Sequence, residues 1–129
     1  MQKRTVLVID DSPVSRKMLR SCFPKDREFA FLDAGDGQAG LDLHRQRRPD
    51  ITFLDLTMEG MSGLACLEQI RASDPKALVI VCTADVQAKS IEKALALGAM
   101  EVVGKPPTRE KVAAAVERAE RRLGGAHGS

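Results

Sequence analysis

Few residues in this sequence could hold a disulfide or a zinc ion. Its three cysteines, Cys22, Cys66 and Cys82, are odd in number, scattered and set in apolar company, which favours buried reduced thiols over a disulfide framework or a thiolate metal site. The two histidines, His44 and His127, have no ligand spacing and read as surface residues. No apolar run approaches the roughly 20 residues that a membrane span needs. The opening MQKRTVLVID has neither the apolar stretch nor the cleavage site of a secretory signal, so a cytoplasmic protein without membrane contact is expected. No strong excess of either charge exists: 20 Lys and Arg stand against 18 Asp and Glu, spread along the chain apart from RQRR at 45–48 and RAERR at 118–122. Such short basic clusters are more often solvated helix ends than a binding stripe, so direct nucleic-acid binding is not expected. Internal repeats and low-complexity segments are absent too, and 129 residues suit one domain.

What is present is a regular alternation. VLVI at 6–9, ITFL at 51–54 and ALVIVC at 77–82 are continuously apolar and rich in β-branched residues, the pattern of strands covered on both faces. FAFLDA at 29–34 and MEVV at 100–103 are shorter or more polar, as edge strands are. Segments of helical period lie between them. Ser12 before Pro13 reads as an N-cap with proline at the first helical position, and Val14, Met18 and Cys22 space an inward stripe. A second helix, over about 37 to 47, carries Leu41 and Leu43, and Leu64, Leu67 and Ile70 mark a third. Ile91 and Leu95 mark a fourth that stops at Gly98. After Thr108, an N-cap, Val112, Val116, Ala119 and Leu123 space a last helix ending at Gly124 and Gly125. The order βαβαβαβαβα predicts an α/β fold, a flavodoxin-like doubly wound sheet of five parallel strands in the order 2-1-3-4-5. Residues 1–123 form the expected domain, and 124–129, GGAHGS, a flexible tail.

In such a sheet all strand C-termini emerge on one edge, and ligands bind there where the strand order reverses. The first strand leads into Asp10 and Asp11, the third into Asp55, the fourth into Thr83 and the fifth into Lys105. Taken singly, each has an ordinary reading: a helix-start acid pair, a loop acid, an N-cap, a solvated lysine. Together they bring three carboxylates, one hydroxyl and one ammonium to one rim. Two carboxylates about 4 Å apart repel by roughly 4 kcal/mol at an effective dielectric of about 20, so three call for a cation among them. Oxygen-only ligands favour a hard ion, and a few carboxylates completed by water and phosphate oxygens suit Mg2+ better than Ca2+. Lys105 and Thr83 then supply a charge and a donor for phosphate. Asp55, at the end of the central strand, can touch the ion and attack phosphorus, which makes it the expected phosphoacceptor.

Through VLVIDDSP, ITFLDLTMEGMSGL, the hydroxyl of VCTAD, and VVGKPP, the chain resembles a response-regulator receiver domain of the single-domain chemotaxis type, from about Thr5 to Leu123. The resemblance implies a phosphoacceptor switch of two-component signalling that promotes its own phosphorylation and dephosphorylation, rather than an enzyme acting on an outside substrate. Asp55 would take a phosphoryl group from the phosphohistidine of a histidine kinase or phosphotransfer protein, or from a small phosphodonor. Asp11, Asp55 and the backbone carbonyl of Thr57 would ligate Mg2+, with Asp10 acting mostly through water. Lys105 would pair first with the carboxylate and then with the phosphoryl oxygens, Thr83 would hydrogen-bond the phosphoryl group, and the Lys105–Pro106 peptide would be cis. The output would be a downstream protein target, or an output domain of a longer protein from which this chain is excised.

Departures from the family pattern carry consequences. Glu59 stands where the family has proline, and Val102 stands where receivers carry Tyr, Phe or His. Tyrosine and tryptophan are absent throughout and phenylalanine occurs only at 23, 29, 31 and 53, so the family's aromatic rotamer switch cannot operate at Val102. By the same resemblance, the side chains of Thr57 and Asp85, two residues beyond the acceptor and two beyond the threonine, would flank the path of attacking water. A competing reading is a receiver-like interaction module that signals without phosphate. An aspartyl-phosphate phosphohydrolase would need an acid where Thr57 stands, and an FMN binder a glycine- or hydroxyl-rich loop where DDSP stands.

Overall fold

The computed structural model describes residues 3–58 and 60–124. Among these residues the strands are β1 (Arg4–Ile9), β2 (Phe29–Ala34), β3 (Ile51–Leu54), β4 (Val79–Thr83) and β5 (Glu101–Gly104). They alternate with helices α1 (Pro13–Ser21), α2 (Gly37–Arg47), α3 (Gly63–Ser73), α4 (Ala88–Ala96) and α5 (Arg109–Arg122). The sheet is parallel throughout, in the order β2-β1-β3-β4-β5, which puts the two more polar strands at its edges.

Strand residues alternate between two helix-covered faces. Val6, Val8, Phe53, Ile80 and Cys82 face a core shared with Leu19 of α1 and Val112 and Val116 of α5. Leu7, Ile9, Leu54, Val79 and Val81 face the other core, shared with Leu41, Leu67, Ile70 and Ala94. All the aromatic rings lie on the first face, where Phe23 meets the edges of Phe29, Phe31 and Phe53 at centroid distances of 5.1, 4.9 and 5.4 Å.

Helix starts follow local chemistry. The side chains of Ser12, Asp36, Ser62 and Thr108 each accept a hydrogen bond from the backbone N–H three residues on. Gly98 ends the turn after α4 at φ 104°, in the left-handed region that glycine enters without strain.

Three expectations are corrected. The inward face of α1 is Leu19 and Cys22 with Ser15 half-buried, whereas Val14 and Met18 are 71% and 45% exposed. The stripe is displaced by one residue, about 100° of helix rotation. A one-residue displacement of the opposite sense occurs in α4, where Ala94 is buried and Leu95 is exposed. His44 is not a surface residue: it is 1% exposed, packed on the inner side of α2 one turn after Leu41, with Nδ1 lacking a hydrogen-bond partner among the described residues. Burial pushes its pKa down, Asp74 opposing this and Arg48 reinforcing it. His127, most of the expected tail and Glu59 lie outside the described residues.

Candidate functional site

The strand ends are stitched together by backbone hydrogen bonds that run one residue past the strands. Asp10 N–H donates to Ala34 O at 3.0 Å, Asp55 N–H to Ile9 O at 3.0 Å, and Lys105 N–H to Thr83 O at 2.9 Å. The acids and the lysine are therefore held in register by the sheet itself. Lys105 Nζ reaches back to donate to Asp10 Oδ2 at 2.8 Å and to Asp55 Oδ2 at 3.1 Å. One carboxylate oxygen from each of Asp10, Asp11 and Asp55 lies within 4.8 Å of the others. Asp10 and Asp55 are buried, and Asp11 is exposed at the mouth. Of the groups expected at the strand ends, Asp10, Asp11, Asp55 and Lys105 lie together, whereas the contacts of the Thr83 hydroxyl run to the loop before α4.

Each buried acid is oriented. Asp10 Oδ1 accepts from Ser12 N–H at 2.9 Å. Asp55 Oδ1 accepts from the N–H and the hydroxyl of Thr57, both at 3.1 Å. Behind Asp55, α3 approaches so closely that a Cβ on Gly63 would lie 2.4 Å from the Asp55 carbonyl oxygen. Only glycine permits that approach. Thr83, fully buried, accepts at Oγ1 from Asp85 N–H at 3.1 Å, while the Asp85 carboxylate accepts from Ser90 Oγ at 2.7 Å and Gln87 N–H at 3.2 Å. The Asp85 side chain is thus engaged with the start of α4.

Residues 6–117 match the family described as the response regulator receiver domain. This chain belongs to that family. It is 37% identical over 113 residues to protein CcdB of Bacillus subtilis, covering 88% of this chain and 94% of that protein. It is 36% identical over 115 residues to chemotaxis protein CheY of Listeria monocytogenes, covering 88% and 96%. A CheX–CheY–BeF3–Mg2+ complex from Borrelia burgdorferi includes a chain of 30% identity that superposes with a TM-score of 0.82, covering 95% of this chain and 90% of that one. The flavodoxin-like order seen here is the receiver fold. Receiver domains are signalling switches of two-component systems, with phosphorylation and magnesium as general features of the family.

In this receiver domain the donor set fits a small hard cation. It is made of carboxylate oxygens, and three acids outnumber the one ammonium among them. Oxygens about 2.1 Å from an octahedral ion lie about 3 to 4 Å from one another, so the observed clustering needs little adjustment. Burial alone would lower the pKa of Lys105, but hydrogen bonds and charge from Asp10 and Asp55 outweigh it and raise the pKa above its ordinary value. The lysine therefore stays charged. The thiols take no part: Cys66 and Cys82 are buried and free, and burial pushes both up to about 11. The Lys105–Pro106 peptide is cis.

Sequence reasoning missed Arg16. Its Nη1 donates to the carbonyl oxygen of Asp10 at 2.5 Å, and its Nε lies 3.5 Å from Asp33 Oδ2. A signal was present, because a cation near a helix N-terminus opposes the macrodipole and needs an acceptor nearby. Placing Val14 and Met18 inward turned that side of α1 the wrong way.

Proposed function

We propose that this receiver domain accepts a phosphoryl group on Asp55 from the phosphohistidine of a kinase or phosphotransfer protein, and so changes its binding to a downstream protein. The observation that carries the reading is Lys105 Nζ bridging Asp10 and Asp55 at the point where Asp11 completes an acidic cluster. Thr57 holds Asp55 through its N–H to Oδ1 and a hydroxyl within reach of both oxygens, and Lys105 donates to Oδ2, so the carboxylate is oriented before the donor arrives. In the transfer, an Asp55 oxygen forms the new P–O bond while the donor's N–P bond breaks and its electron pair stays on the imidazole nitrogen. Lys105 then follows the charge onto the phosphoryl oxygens, and the Thr83 hydroxyl donates to one of them. Mg2+ held by Asp11, Asp55 and the Thr57 carbonyl, with Asp10 acting through water, would neutralise charge on those oxygens.

The donor has an apolar surface to dock on. Val14 and Met18 stand exposed on α1, and a cavity of about 260 Å³ runs between α1 and Pro106–Pro107 to the acids. A cytoplasmic setting follows from a kinase as donor. The Borrelia burgdorferi CheY bound to CheX supports a protein as the downstream target. Intact-mass measurement after acetyl phosphate with Mg2+, beside Asp55→Ala, tests the reading. One added phosphoryl mass on the wild type and none on the variant is expected. An unlabelled wild type would favour the phosphate-independent module, and labelling of Asp55→Ala would move the acceptor elsewhere.

A further inference from the structure

The reading of the acids as a cation site leaves Asp11 unexplained. Among the described residues its carboxylate has no hydrogen-bond donor, whereas Asp10 is held by Ser12 and Lys105 and Asp55 by Thr57 and Lys105. The place of Asp11 in the cluster is therefore set by its backbone. The peptide that joins Asp10 to Asp11 presents its carbonyl oxygen to Arg16 Nη1 at 2.5 Å. That contact fixes the direction in which the chain leaves β1, and with it where the Asp11 side chain starts. Arg16 is itself anchored: Nε lies 3.5 Å from Asp33 Oδ2 at the end of β2, and Arg20 donates to the same oxygen at 2.5 Å. The Arg16 side chain is only 18% exposed, and among the described residues Nε has no hydrogen-bond partner. A cation held inside the fold, against the α1 dipole and incompletely satisfied, is a costly way to fill space.

We infer that Arg16, braced by Asp33, is a positioning residue for the divalent cation, orienting the Asp10–Asp11 peptide so that Asp11 completes the ligand set. This rests on the cation-site reading and adds to it a buttress that runs from β2 through α1. A purely electrostatic role predicts the opposite sign. A positive charge beside a cation site repels the ion, so removing it would tighten binding, whereas removing a positioning contact loosens binding.

Contacts that orient metal ligands typically change affinity by about 10- to 100-fold. Arg16→Met is expected to weaken Mg2+ binding by about tenfold or more. Arg16→Gln, which keeps a donor for the Asp10 carbonyl without the charge, is expected to recover most of that loss. Asp33→Asn, at an exposed position on an edge strand, is expected to weaken binding in the same direction by less. Since the chain contains neither tryptophan nor tyrosine, the titrations are read by amide chemical shifts of Asp11 and Asp55 and by calorimetry. Arg16→Met that binds Mg2+ as tightly as wild type, or more tightly, overturns the inference. If that variant does not fold, unchanged binding by Asp33→Asn does the same. A wild-type protein that binds no Mg2+ removes the cation-site reading and this inference with it, while normal binding by the wild type and both variants removes the inference alone.

Discussion

Replacing Gly63 with alanine moves the acceptor without touching a charged group. A Cβ at this position would lie 2.4 Å from the Asp55 carbonyl oxygen and 2.4 Å from the Cα of Leu56. Both are backbone atoms, so no side chain can swing aside, and ordinary contact requires α3 and the β3–α3 loop to separate by about 1 Å. Two energies oppose each other. Alanine is a better helix former than glycine by about 1 kcal/mol in a helix interior, and Gly63 sits at the first helical position, where the gain is smaller. Overpacking costs about 1–3 kcal/mol. The clash wins, and for a domain of this size the melting temperature should fall by about 3–12 °C. The effect on the chemistry is larger, because a misplacement of about 1 Å at a reacting group costs on the order of 100-fold in rate. Thermal unfolding by circular dichroism measures the first effect. The rate of acetyl-phosphate labelling, taken at a temperature where the variant is fully folded, measures the second. Gly40→Ala is the control: the atoms nearest its Cβ would be those of the Ile9 side chain, the closest at 2.5 Å, so stability should fall while the labelling rate stays near wild type. Wild-type melting and labelling in Gly63→Ala would refute the argument that close approach at this glycine positions the acceptor.

Buried His44 and the bridging Lys105 give further tests. Because burial lowers the folded-state pKa of His44, the unfolded chain takes up a proton at about pH 6.5 while the folded protein still resists it. Its contribution to stability is therefore complete above about pH 6.5 and is lost as pH falls through the lowered folded value. Melting temperatures of wild type and His44→Leu, compared between pH 8 and 5, should show the wild type declining more steeply on the acid side, and parallel curves would remove the point. Lys105→Met takes away the ammonium that bridges Asp10 and Asp55, and Asp55 labelling should slow by about 100- to 1,000-fold. Mg2+ affinity should not fall, since the repulsion among the carboxylates then favours a cation more strongly. Labelling at the wild-type rate would exclude Lys105 from the transfer.

The strands were legible because a parallel sheet covered on both faces demands unbroken apolar runs, and VLVI, ITFL and VIVC satisfy it without help from the rest of the chain. Helix starts were legible for the same local reason, since Ser12 and Thr108 satisfy N–H groups three residues away. Helix rotation was not. In α1 the expected stripe of Val14, Met18 and Cys22 and the observed one of Ser15, Leu19 and Cys22 share Cys22 and differ elsewhere by a single residue. The sheet chose the second, because Leu19 and Cys22 pack with Val8 and Phe53 in one core. His44 was misread for a related reason, since a single imidazole says nothing of which side of α2 it occupies.

By itself the sequence determined the alternation of strands and helices and which side chains stand at the strand ends, because both follow from local apolar pattern and capping chemistry. The tertiary structure decided which of those groups meet and through what. Lys105 lies 95 residues from Asp10, and their 2.8 Å contact exists only because parallel pairing carries each strand end to the same rim. The part of Arg16 was decided there too. Its acceptor directly follows β1 and its brace lies in β2, and no local pattern links a helix arginine to a carbonyl at the end of one strand and a carboxylate on another until the sheet sets those strands side by side.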